Sequence, residues 1–150
     1  MPQSDNSEAS AAVRAMRVEE LVTLADLWVA SWRETMPAID FDARWAWISA
    51  VLADPANAVL VAERDGEPQG FAVVAGGLLH QLVVAPGAKG SGAATILLAA
   101  AKARAGAGMV LEVNQGNGRA VRFYEREGFR RTGAGRNAGS GLATWHMCWP

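Results

Sequence analysis

Residues 82–98 read LVVAPGAKGSGAATILL. An apolar run, Leu82, Val83 and Val84, stops at Pro86, crosses a turn bearing Gly87, Gly90 and Gly92, and enters a segment of alanine, isoleucine and leucine. That order is a strand, a bare loop and a helix start. The first turn of a helix holds N–H groups without intrahelical acceptors at the positive end of the macrodipole, where an anion gains about 0.3–1 kcal/mol. The loop therefore predicts a site for a phosphate-bearing ligand.

Downstream, the helix from Ala93 to about Ala105 closes at Gly106 and Gly108 and a strand follows from Met109 to Asn114. This strand-helix-strand crossover predicts parallel strands around Val83 and Leu111. Arg119 to Glu127 reads as a short helix capped by Gly128, Phe129 to Gly133 as a strand, 134–141 as a flexible glycine-rich loop, and Leu142 to Trp149 as a final strand. Upstream, residues 58–86 hold two apolar runs divided by Asp65-Gly66, a hairpin signal, and a third run after Gly76-Gly77, which together predict an antiparallel meander. Before them, Val13 to Arg17 suits a short strand, and Leu21, Leu24, Ala25, Trp28 and Trp32 recur at helical spacing until Pro37. A second helix is expected from Phe41 to about Leu52, with Trp45 and Ile48 on its apolar face, Trp47 pointing elsewhere and Asp40 as N-cap. Residues 1–11 are expected to form a disordered tail, and 12–150 a single domain. The resulting class is α/β (α+β): a mixed, mostly antiparallel sheet of six to seven strands with helices on both faces.

Composition narrows the function. The 150 residues carry 14 Lys and Arg against 15 Asp and Glu, without the bulk positive field that nucleic-acid binding needs. Cys148 has no second cysteine to pair with, and no apolar run approaches the roughly 18 residues of a membrane span, so a cytoplasmic protein is expected. His80, His146 and Cys148 show no metal-ligand spacing, and no metal is expected.

A second segment, LEVNQGNGRAVRFYEREGF at 111–129, joins the glycine loop to give a pattern that closely resembles the GCN5-related N-acetyltransferase superfamily. Its cofactor loop, (Gln or Arg)-x-x-Gly-x-(Gly or Ala) after Val-x-Pro, is met by Val84, Ala85 and Pro86 followed by Lys89, Gly90, Ser91, Gly92, Ala93 and Ala94, with Lys89 as the one departure. Its second signature, Asn-x-x-Ala-x-x-(Phe or Leu)-Tyr-x-x-x-Gly-Phe, stands intact as Asn117, Ala120, Phe123, Tyr124, Gly128 and Phe129. The resemblance implies transfer of an acetyl group from acetyl-CoA to a primary amine by direct attack in a ternary complex. It also implies a splay between the fourth and fifth strands. A non-enzymatic acyl-CoA sensor is the alternative function. A dinucleotide-binding reading of Gly90, Gly92, Thr95 and Glu112 fits poorly, because three antiparallel-looking strands precede the loop.

By this resemblance, backbone amides from Lys89 through Gly90, Ser91, Gly92, Ala93 and Ala94 to Thr95 hold the coenzyme A pyrophosphate, with glycines permitting close approach. Lys89 contributes a backbone amide or a point charge. Leu82, Val83 and Val84 pair through their main chain with the pantetheine arm, near Asn117, which also suits an N-cap. Tyr124, the only tyrosine, falls where the family places the acid that protonates the departing thiolate, with Phe123 anchoring the helix. Glu112, whose apolar strand neighbours would make it a better proton acceptor, and His80 are the candidate bases, with water as the third possibility. Trp32 and Glu34 are candidate acceptor-binding residues, whereas Trp28 and Trp45 read as core. The acceptor is a small-molecule or peptide amine, and Trp145 and Trp149 on the last strand offer a surface for a homodimer.

Overall fold

One seven-stranded sheet in the order β1-β2-β3-β4-β5-β7-β6 runs through the computed structural model, which describes residues 11–35, 40 and 42–150. The strands are β1 Ala12–Ala15, β2 Ala58–Arg64, β3 Glu67–Ala75, β4 Leu78–Val84, β5 Met109–Asn114, β6 Arg130–Arg136 and β7 Ala143–Trp149. The helices are α1 Leu21–Thr35, α2 Trp45–Ala53, α3 Ala93–Ala105 and α4 Gly118–Arg126. All neighbouring strands are antiparallel except β4 and β5. The expected order and the mixed, mostly antiparallel α/β architecture are those observed.

Side chains alternate across a strand, so each strand feeds two cores. Val59, Val61, Phe71, Val73 and Val83 meet Leu24, Trp28, Ile48 and Leu52 of α1 and α2 on one face. Ala62, Ala72, Val74, Leu111 and Val113 meet α3 and α4 on the other, through Leu97, Leu98, Val121 and Tyr124. Leu79 and Val83, an even number of residues apart on β4, nevertheless belong to opposite cores. The register explains this: Val73 pairs with Gln81 but Val74 with Leu79, leaving His80 as the extra residue of a bulge.

β4 and β5 share one ladder position, Leu78 opposite Val110, supported by a Val110 N–H donating to the Gly77 carbonyl at 2.9 Å. Beyond it the strands part, which is the expected splay. Pro86 and the Gly90–Gly92 turn carry the chain from β4 into α3, and α3 packs mainly on β3 and β4.

Several local expectations need correction. The first helix begins as a 3₁₀ turn, Val18–Glu20, and the second as Asp42–Arg44 before α2. Asp40 caps that turn rather than the helix, accepting from the Ala43 N–H at 3.3 Å. The expected helix start at Phe41, the stop at Pro37 and residues 1–10 of the expected 1–11 tail lie outside the described residues. Residues 134–136 are not loop: Ala134, Gly135 and Arg136 pair with Trp145, Thr144 and Ala143, extending β6. Glycine misleads there because Gly135 serves packing, and a Cβ would lie 2.5 Å from His146 Nε2. The remaining turn is internally bonded, with Asn137 Oδ1 accepting from the Gly139 and Ser140 N–H groups at 2.8 and 2.9 Å. Trp145 and Trp149 are half-buried, on a strand that lies between β5 and β6 rather than at the sheet edge. The Arg131 guanidinium covers the Trp145 ring at 4.8 Å, and the Lys102 ammonium covers that of Trp149 at 4.7 Å. Among the described residues no helix is long and apolar enough to cross a membrane.

Candidate functional site

The turn ahead of α3 is built for exposed main chain. Gly90 and Gly92 have φ of 82° and 93°, a region in which a Cβ is strained, and nothing lies within 4 Å of where either Cβ would be. The first intrahelical bond runs from the Ile96 N–H to the Gly92 carbonyl at 3.2 Å, and the Ala93 N–H is taken by Ser91 Oγ at 3.3 Å. Ala94 and Thr95 therefore keep N–H groups without intrahelical acceptors, facing small neighbours. Lys89 departs from a phosphate-directed charge. Its Nζ pairs with Glu34 Oε1 at 3.1 Å and donates to Thr35 Oγ1 at 3.0 Å, so the side chain ties the turn to the end of α1 while its main chain stays in the turn.

A cavity of about 700 Å³ starts at this turn and reaches through the gap between β4 and β5. It is lined by the turn, by Leu82, Val83 and Val84, and by Asn117, Phe123 and Tyr124 of the second motif. Val83 is buried against α1 and α2, while Leu82 and Val84 pack on the opposite core. Past Leu78, β4 has no ladder with β5, so main-chain groups of this segment border the gap. Asn117 is the N-cap of α4, its Oδ1 accepting from the Ala120 N–H at 3.3 Å, and it lines the cavity too. Tyr124 is 8% exposed, held edge-on between Phe123 and Phe129 at 5.4 and 5.5 Å. Burial pushes its phenol pKa above the ordinary value, which keeps the proton on oxygen.

The candidate bases sit across the sheet from this phenol. Tyr124, Leu111 and Val113 share the α3/α4 face, so Glu112 between them points to the other. The apolar surroundings expected for Glu112 are absent. Its Oε2 accepts from Thr144 Oγ1 at 2.7 Å and lies 3.4 Å from His146 Nε2, because Glu112 and His146 are opposite one another in the β5–β7 ladder. His146, isolated in the sequence, is thus a neighbour of a candidate base. His80, lifted by the bulge, meets the Trp47 ring at 5.9 Å and has its Nδ1 3.3 Å from Gln81 Nε2. Gln81 Oε1 in turn accepts from Trp28 Nε1 at 2.9 Å. An acid on one face and two proton acceptors on the other are joined by one slot.

From the α1/α2 layer the cavity is lined by Trp28, Trp32 and Trp47, and by Glu34 on the side of the phosphate turn. Trp28 is buried as core, Trp45 packs beside that core and donates to Asp26 Oδ1 at 2.9 Å, and Trp32 is half-buried in the wall. Glu34 reaches the wall already engaged by Lys89. Arg44, Thr144 and the 137–142 turn also line it and went unrecognised in the sequence, where no local pattern marks them. Among the described residues, no cluster of three His, Cys, Asp or Glu side chains is placed to hold a metal ion.

The chain was compared with known proteins. Residues 40–149 match the family profile described as "Acetyltransferase (GNAT) domain". The uncharacterized N-acetyltransferase Rv2669 of Mycobacterium tuberculosis H37Rv is 38% identical over 104 residues, 63% of this chain and 67% of that protein. The peptidyl-lysine N-acetyltransferase YiaC of Escherichia coli K12 is 29% identical over 151 aligned positions, 92% of this chain and 96% of its own length. Among solved structures, the PaiA N-acetyltransferase of Thermoplasma acidophilum in complex with coenzyme A superposes with a TM-score of 0.74 at 20% identity, covering 93% of this chain and 98% of that one.

Proposed function

Because the chain belongs to the acetyltransferase (GNAT) domain family, we propose that it moves the acetyl group of acetyl-CoA directly onto a primary amine bound at the same time. The observation that carries this reading is the slot between β4 and β5, with a protonated phenol on one face of the sheet and proton acceptors on the other. Acetyl-CoA supplies the acetyl group as an activated thioester. The donors of residues 89–95 and the borders of β4 fit its diphosphate and its extended arm, as the coenzyme A complex of the similarly folded PaiA enzyme supports.

In this reading Gly90 to Thr95 bind the diphosphate, and Leu82 to Val84 with Asn117 align the arm. Glu112 or His80, directly or through water, takes the amine proton as nitrogen bonds to the acetyl carbon. Tyr124 gives its proton to sulfur as the carbon–sulfur bond breaks, yielding amide and free thiol. Approach from opposite faces favours direct attack, since no acetyl carrier on the protein is then needed.

Titration calorimetry with acetyl-CoA and a thiol-release assay across primary amines test the proposal. Binding with intersecting initial-velocity lines is expected; parallel lines would overturn direct attack, and binding without thiol release from any amine would favour the sensor reading. Glu112→Gln and His80→Gln identify the base, because the variant that removes the rising limb of the pH–rate profile has lost it. An unchanged limb in both assigns the step to water.

A further inference from the structure

We propose that Arg44 makes this enzyme selective for acceptors that carry a carboxylate beside the amine, on an apolar frame. The proposal rests on the acetyltransferase reading of the same cavity and adds the chemical class of the acceptor.

Arg44 lines the same cavity, over the indoles of α1 and α2. Its guanidinium carbon lies 4.5 Å from the Trp47 ring centre and 5.9 Å from that of Trp28. Gly139 of the β6–β7 turn closes on it so tightly that a Cβ there would be 2.6 Å from Nη2 and 2.9 Å from Cζ. Neither an indole face nor the bare side of a glycine accepts an N–H bond in the guanidinium plane. The contacts fix the group and leave its donor edge unmatched among the described residues.

Nearby carboxylates are committed elsewhere. Asp40 caps the Ala43 N–H, Asp26 accepts from Trp45 Nε1, and Glu34 pairs with Lys89. No ion pair joins Arg44 to any described residue. A positioned, half-buried arginine with its planar fork unpaired is the natural counterpart of a carboxylate, which it binds by two parallel bonds. The indoles of Trp28 and Trp47 supply apolar wall beside it, suited to a hydrocarbon frame. Polyamines meet the wrong charge at Arg44, and Glu34 is already paired with Lys89.

The experiment compares matched acceptors that differ only in the carboxylate: glycine with methylamine, leucine with isopentylamine, and phenylalanine with 2-phenylethylamine. The expected kcat/KM ratio favours the carboxylate member of at least one pair by about tenfold to a hundredfold, the range for a hydrogen-bonded charged pair. In Arg44→Gln that ratio should collapse toward one, with Arg44→Lys, which keeps charge but not the fork, between the two. A second readout needs no turnover: 3-phenylpropionate should perturb the tryptophan fluorescence of the protein saturably, with affinity reduced at least about tenfold in Arg44→Gln. A ratio that Arg44→Gln leaves unchanged, a preference for the carboxylate-free amines or for a lysine peptide with blocked ends, or equal 3-phenylpropionate affinity in both proteins would overturn the proposal. Failure of the acetyltransferase reading looks different, since no amine of either kind would then release thiol from acetyl-CoA. A thermal shift with acetyl-CoA on each variant confirms that the fold is intact.

Discussion

The two ends of the cavity are built by different means. The phosphate end is main chain: within residues 89–95, left-handed glycines and small side chains leave amide groups such as those of Ala94 and Thr95 open at a helix start. The acceptor end is side chain, assembled from α1, α2, the β4 bulge and the β6–β7 turn. An amide donor is the same whatever residue carries it, so the first end tolerates substitutions that keep the backbone path. The second depends on the identity and rotamer of each contributor. This difference predicts which changes harm binding of the cosubstrate and which harm choice of acceptor.

Tyr124 stands where the two ends meet, and its removal should have the largest effect. Tyr124→Phe is expected to lower kcat by about tenfold to a thousandfold, given the usual worth of a general acid, while calorimetry shows little change in acetyl-CoA affinity. Burial raises the phenol pKa, and an acid remains competent below its pKa, so its alkaline limit moves up rather than down. The rate should accordingly hold its alkaline plateau from about pH 8 to about pH 10, the ordinary tyrosine value. A descent inside that window that disappears in Tyr124→Phe would keep the phenol as the acid but contradict its raised pKa.

The main-chain character of the phosphate end predicts a contrast between two residues of the same turn. Gly92→Val forces a β-branched residue to a φ of 93° and should weaken acetyl-CoA binding by about tenfold or more. Lys89→Ala removes a charge whose partners are Glu34 and Thr35 and should change that affinity by less than about threefold. Equal losses in the two variants would show that the lysine reaches phosphate after all, and the contrast between the ends would fail.

The same contrast explains what was legible beforehand. The turn at 86–95 and the signature from Asn117 to Phe129 are continuous in sequence, and each encodes local backbone geometry, so strand, loop, helix and the Tyr124 position could be read directly. The acceptor end depends on contacts between distant segments. His146 looked solitary because its partner Glu112 is reached only through the β5–β7 register, and Arg44 went unrecognised because Gly139 comes to it from the far end of the chain. Gly135 read as loop, although it makes room for the His146 ring inside a strand. Nor does a bulge at His80 have a sequence signature; the change of core between Leu79 and Val83 shows it only once the register is known.

Asn117 probes how far the second motif is structural. Asn117→Ala deletes the N-cap of α4, and the cost should be about 1 kcal/mol, a fall in Tm of about 2–4 °C by thermal denaturation. Because the cap orients the helix that carries Tyr124, kcat should fall with it. A stability loss without any kinetic change would make the residue a cap alone.

The smallest effect is expected far from both ends, in the frame that holds α1 to the sheet. Arg14 on β1 bonds Glu20 at 2.6 and 2.8 Å, just before α1, and also Glu63 on β2. The guanidinium draws the Glu20 pKa down to about 2. A carboxyl depressed by folding contributes stability that is complete above its unfolded pKa of about 4.3 and is lost as pH falls through the folded value. The Tm difference between the unmodified protein and Glu20→Gln should be constant above about pH 5, amount to only about 1–3 °C, and vanish toward about pH 2. Acetyl-CoA affinity should not follow it, because the phosphate turn is anchored through α3 and β4 rather than through β1. A Glu20→Gln variant that bound acetyl-CoA more weakly at neutral pH would mean that α1 transmits strain to that turn through the Lys89–Glu34 pair, and that the two ends of the cavity are mechanically joined.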